Sequence, residues 1–140
     1  MSTRGRKAEL RVIEGGLGEA PEIPQHIPAE MHAEWSAVVG DLTARKLLTD
    51  SMLGSVEAYI MALSNMRLAQ KALDDHGPLV QGERGGLKQN PAVSLLGKSQ
   101  SAVQRLSAEL GLTPASRSKQ GMGSGSNAED GEHERTLFDL

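Results

Sequence analysis

VQGERGGLKQNPAVSLLGKSQSAVQRLSAELGLTPASR, residues Val80–Arg117, is the stretch on which the fold turns. Three glycines (Gly82, Gly85, Gly86) separate Leu79-Val80-Gln81 from Leu87-Lys88, the mark of a short β-hairpin or ordered loop over about residues 79–89. Asn90 follows as a helix cap, with Pro91 in the first helical position, where its missing N–H costs nothing. Leu95, Leu96, Val103, Leu106 and Leu110 then fall within roughly 100° of one another, predicting one long helix with a single buried face. Gly111 stops that helix, and Thr113-Pro114 begins another short helical turn.

Working towards the N-terminus, the run of Asp74, Asp75, His76, Gly77 and Pro78 reads as the end of an earlier helix. That helix opens after Leu47-Leu48, with Thr49 or Asp50 able to cap it. In its first half Met52, Leu53, Val56, Tyr59, Ile60, Leu63 and Met66 share an arc of roughly 140°. In its second half the same arc carries Arg67, Gln70, Lys71 and Asp74, while Leu68, Ala69, Ala72 and Leu73 form an apolar flank on the other side. A helix whose apolar face changes along its length touches either two different partners, one of them a neighbouring subunit, or one curved surface of its own chain. A further helix, from Pro28 to about Lys46, is marked by Met31, Trp35, Val38, Val39 and Leu42.

The expected fold class is thus all-α with a short β-hairpin: about three helices over residues 28–117. Residues 1–27 mix basic residues, glycines and prolines and read as an arm without a regular core element. Residues 118–140 collapse to Gly, Ser, Asn and acids and read as a disordered acidic tail. A core of about 90 residues is close to break-even between buried area and chain entropy, and oligomerisation is one usual remedy. A lone hairpin is marginal in water, so this one must lean on the helices or on another chain. Candidates for a subunit interface are Leu68, Leu73, Leu79, Val80 and Leu87.

Charge and composition narrow the function. The formal net charge of −3 conceals a basic start (Arg4, Arg6, Lys7 and Arg11 against Glu9) and an acidic end (Glu129, Asp130, Glu132, Glu134 and Asp139 against Arg135). Zero cysteines exclude disulfides and thiolate metal sites. Three aromatic residues, Trp35, Tyr59 and Phe138, leave little material for base stacking. Apolar runs are too short for a membrane span, which predicts a soluble intracellular protein. His26, His32, His76 and His133 are scattered without metal-ligand spacing, and the glycine clusters lack the lysine and hydroxyl of a phosphate loop. Asp74 and Asp75, adjacent on a helix, point about 100° apart and form no catalytic pair. Neither an enzyme nor a cofactor is expected.

What remains is contact with a polyanion. Arg4-Gly5-Arg6-Lys7 either suits a narrow DNA minor groove or is an ordinary solvated terminus, and two or three phosphate contacts bind weakly unless multiplied by copy number. Lys98 and Arg105, seven apart, share one exposed side of the third helix; they either meet phosphate or form a solvated face, with Arg105 paired to Glu109. Leu137, Phe138 and Leu140 form an apolar knot on the acidic tail, suited to a partner or merely terminal.

The order of these signals resembles the phage terminase small subunit family of tailed phages and prophages. It runs through Arg4-Gly5-Arg6-Lys7, the proline stretch to Pro28, Trp35, Leu47-Leu48-Thr49, Gly85-Gly86, Asn90-Pro91 and Leu110-Gly111-Leu112-Thr113-Pro114-Ala115-Ser116-Arg117. Ala8-Glu9 departs from the pattern, since a proline is commoner after the basic arm. The resemblance implies a ring-forming, non-catalytic protein of the host bacterial cytoplasm. It would bind double-stranded viral DNA and regulate the terminase large subunit, which carries the ATPase and nuclease. It further implies a ring built by the helical pair and the third helix, DNA contacts by the arm with Arg4, Arg6, Lys7 and Arg11, and large-subunit contact by the tail. Lys98 and Arg105 are DNA-contact candidates from their own spacing. On the residues alone, a small helical regulator, such as a dimeric repressor or antitoxin, is the alternative; a scaffold with no nucleic-acid role is a third reading.

Overall fold

The computed structural model describes residues 18–122. A 3-10 turn at Ala29–Met31 leads into α1 (His32–Ala44), and a second at Asp50–Met52 leads into α2 (Leu53–His76). The antiparallel strands β1 (Leu79–Gln81) and β2 (Leu87–Gln89) follow, then α3 (Pro91–Glu109) and a short α4 (Pro114–Met122). The expected helical architecture with one hairpin is what forms. α4 carries past Ser118, the expected start of the tail, and ends at Met122.

Two packing zones hold the chain. The first is a cluster of Ile27, Met31, Trp35, Val39, Leu42, Leu48, Val56, Ile60 and Leu110, with Met52, Leu53, Tyr59 and Leu63 against it. It joins the apolar stripe of α1 to the first-half arc of α2, as their periodicities require. It also takes in Ile23 and Ile27 from the proline-rich approach, which hydropathy periodicity does not reveal because no regular element carries them. The second zone is the seam between α2 and α3, the most extensive contact between elements. Ala62 and Ala69 are buried on α2, and Ala92, Ser99 and Leu106 on α3. Spacings of seven on both helices are those of two helices crossing at a shallow angle.

The seam resolves the change of face along α2: its second-half surface meets α3 of the same chain, while Leu68 stays 62% exposed. It also corrects the face expected for α3. Leu95 is 37% exposed, whereas Ala92 and Ser99 are buried. Close approach of two helices selects small side chains for the contact line and moves larger ones to its rims. The polar second-half arc is laced by local bonds, Gln70 to Asp74 at 2.9 Å and Lys71 to Asp75 at 2.7 Å. Arg67 crosses to Glu34 of α1.

Helix ends follow sequence chemistry with one exception. The Thr49 side chain makes no capping bond; its hydroxyl is 3.0 Å from that of Ser51, and the chain enters α2 through a 3-10 turn instead. α1 ends with Lys46 at φ 56°, where Lys46 N–H donates to Thr43 and Leu47 N–H to Leu42, a Schellman closure without glycine. α3 ends in the same closure around Gly111 at φ 69°, with bonds from Gly111 to Ala108 and from Leu112 to Ser107. Thr113 and Ser116 then cap α4 reciprocally: each backbone N–H donates to the other's hydroxyl at 3.2 Å.

Candidate nucleic-acid interface

Asn90 sets where α3 begins and therefore where its side chains face. Its carboxamide oxygen accepts from Ala92 N–H at 3.0 Å, and its amide donates to the Gly77 carbonyl at the end of α2, also at 3.0 Å. Its own N–H donates to Pro78 at 2.8 Å. One 7%-exposed residue thus starts α3 and closes α2 through its side chain and pins the base of the hairpin through its backbone N–H.

With the α2–α3 seam in place, the outer flank of α3 carries a shallow groove lined by Gly97, Lys98, Ser101, Ala102 and Arg105. At 100° per residue Gly97, Lys98, Ser101 and Arg105 lie roughly 100–160° around the helix from the seam, and Ala102 borders it. Lys98 and Arg105 are two turns apart, about 10 Å at 1.5 Å per residue, with a floor of glycine, serine and alanine between them. Two long cationic stems over a low, hydroxyl-bearing floor suit a run of phosphates. They offer positioning contacts rather than base reading.

The surrounding cations show why these two stand apart. Arg45 and Arg117 both bond Asp41, at 3.1 and 3.4 Å, and both donate to the Gly111 carbonyl, at 2.9 and 3.2 Å. They tie the end of α1 to the α3–α4 junction and are structural. Lys71 is taken by Asp75: the hydrogen bond and charge of Asp75 raise the Lys71 pKa, and the same contact lowers that of Asp75. Arg105 has only a loose 3.9 Å approach to Glu109, with its side chain 70% exposed, and among the described residues no ion pair engages Lys98. Arg84 in the hairpin turn and Lys88 on β2 are exposed as well, two cations that the sequence reading did not single out. Their signal was present, a turn and strand without acidic i,i+4 partners, but it needed the hairpin to be certain.

The other expected site residues divide cleanly. Arg4, Arg6, Lys7 and Arg11, and Leu137, Phe138 and Leu140, lie outside the described residues. Leu68, Leu79 and Leu87 are exposed at 62%, 56% and 75%, while Leu73 and Val80 are half-buried. Two of the histidines have structural partners: His26 Nε2 lies 3.2 Å from Glu57, and His32 Nε2 lies 3.0 Å from the Ile27 carbonyl. No helix among the described residues is long and apolar enough to cross a membrane.

No curated protein and no solved structure matches the chain. A family model described as phage terminase, small subunit, matches residues 32–127, spanning α1, α2, the hairpin, α3 and α4. That span is more than half of the sequence and contains the Asn90-Pro91 start, the groove and the Leu110–Arg117 closure. The chain belongs to the phage terminase small subunit family.

Proposed function

We propose that this protein is the non-catalytic, oligomeric DNA-recognition component of a phage packaging machine. It acts in the host bacterial cytoplasm, binding double-stranded viral DNA and regulating the large terminase subunit. The observation that carries the reading is the family match over residues 32–127. The groove between Lys98 and Arg105 supports it with a surface of the right charge and shape. In this proposal Lys98 and Arg105 meet phosphates, and Arg4, Arg6, Lys7 and Arg11 add contacts from the arm. Assembly through Leu68, Leu73, Leu79, Val80 and Leu87 multiplies weak single-copy contacts by effective concentration. Leu137, Phe138 and Leu140 supply the contact with the large subunit.

A salt series of DNA-binding isotherms on the full chain tests this. Each lost phosphate contact lowers the slope of log affinity against log salt by about one. The Lys98→Ala/Arg105→Ala pair and the Arg4→Ala/Arg6→Ala/Lys7→Ala triple should each weaken binding and flatten the slope. Unchanged binding in both variants removes these residues from DNA recognition.

A further inference from the structure

The hairpin stands apart from everything else in the fold. Of its six strand residues only Val80 is half-buried; the other five are exposed. The register pairs Leu79 with Gln89, Val80 with Lys88 and Gln81 with Leu87. Beyond its ends, Asn90 N–H bonds the Pro78 carbonyl at 2.8 Å and Gly82 N–H bonds the Gly86 carbonyl at 2.7 Å. In an antiparallel ribbon, bonded pairs alternate with non-bonded ones. With 78/90 and 82/86 bonded, the central 80/88 pair is bonded too. The backbone N–H and C=O groups of Leu79 and Gln81 therefore point out of one edge, and those of Leu87 and Gln89 out of the other. Among the described residues none of these groups has a partner.

The geometry points to a second copy of this chain as the occupant of both edges: β2 of one protomer lies antiparallel beside β1 of the next, and the hairpins join into one continuous sheet. This arrangement rests on the assembled state proposed above and assigns its contact. A foreign strand would cover one edge and leave the other open. Neighbouring copies related by rotation cover both, because the two edges of one ribbon have equal length and opposite direction. A closed set leaves no edge at all, the way barrels remove theirs. Side chains alternate across a strand, so Leu79, Gln81, Leu87 and Gln89 share one ribbon face. Joined ribbons gather Leu79 and Leu87, 56% and 75% exposed in the single protomer, into an apolar band that two three-residue strands cannot bury alone. The tip carries Glu83 beside Arg84, so adjacent tips present opposite charges to each other. The hairpin base is held by Asn90, which fixes the direction in which the edges are offered.

Two variants of the full chain separate this contact from assembly in general. Leu87→Lys places a charge in the band at a position too exposed to disturb the protomer. Gln81→Pro removes an N–H that points out of the edge, so the intrachain ladder survives; prolines are tolerated at such edges. By native mass spectrometry and dilution, each should weaken assembly at least about tenfold, with helical circular dichroism unchanged. An oligomeric wild type whose two variants assemble equally well overturns the hairpin contact and leaves the assembled state standing. A wild type that stays monomeric at high concentration overturns both. Amide hydrogen exchange decides without any variant: the N–H groups of Leu79, Gln81, Leu87 and Gln89 should be protected in the assembled wild type, and free exchange there refutes the pairing.

Discussion

Removing the carboxamide of Asn90 tests the central joint of the fold. Asn90→Ala deletes the cap acceptor for Ala92 N–H and the donor to the Gly77 carbonyl. Loss of an N-cap costs about 1 kcal/mol. A half-buried carbonyl left without its donor adds about another 1 kcal/mol. The sum, about 2 kcal/mol, lowers the melting temperature by roughly 8–16 °C for a domain of this size. Asn90→Ser keeps an acceptor for the cap but is too short to reach Gly77, so it should cost about half as much. Asn90→Asp also keeps the acceptor, yet it turns a carboxylate oxygen towards the Gly77 carbonyl and should fall below Ser. Urea denaturation at fixed protein concentration, followed by circular dichroism, gives the ranking. If Ala and Ser are equally destabilised, the cap acceptor contributes nothing, and if Ser matches the parent, the link to Gly77 contributes nothing. If Ala costs less than about 0.5 kcal/mol, the cap is not holding α3 and the argument fails.

Three smaller perturbations probe other parts of the structure. Gly97 is helical and a Cβ there would meet nothing within 4 Å, so Gly97→Ala should stabilise α3 by about 0.5–1 kcal/mol. Because its methyl would rise from the groove floor, the same variant should bind DNA less well; a stabler protein with unchanged DNA affinity would remove the groove from recognition. Lys46 holds φ 56° at the end of α1 without being glycine, and Lys46→Gly should raise stability by about 0.5–1 kcal/mol in a thermal melt. The Lys71–Asp75 pair sets a pH dependence. The Asp75 carboxyl is held below its ordinary value, so its contribution is full above the unfolded-state value and is lost as pH falls through the lowered one. Asp75→Asn should therefore differ from the parent at neutral pH and match it in acid, and an equal difference at both pH values would refute the pairing.

Local chemistry decided much of this protein before any folding. Asn90-Pro91, Gly111 and Thr113-Pro114 mark helix boundaries because caps, φ restrictions and left-handed turns act within four or five residues. The stripes of α1 and the first half of α2 were legible because a large apolar surface at helical period has only one place to go. Lys98 and Arg105 were readable as one exposed side because seven residues make two turns. Other features depend on residues distant in the chain. Small side chains carry little hydropathy signal, so Ala62, Ala69, Ala92 and Ser99 revealed the α2–α3 seam only once two helices had come together. Arg117 reads like any cation until Asp41, 76 residues earlier, claims it, and Asn90 reads as a simple cap until Gly77 accepts its amide. Sequence by itself determined where helices start, stop and bury their largest residues, through short-range forces along one chain. Tertiary structure alone decided which cations are neutralised, which leucines stay bare and which strand edges remain open, because those outcomes depend on distances between elements that periodicity does not encode.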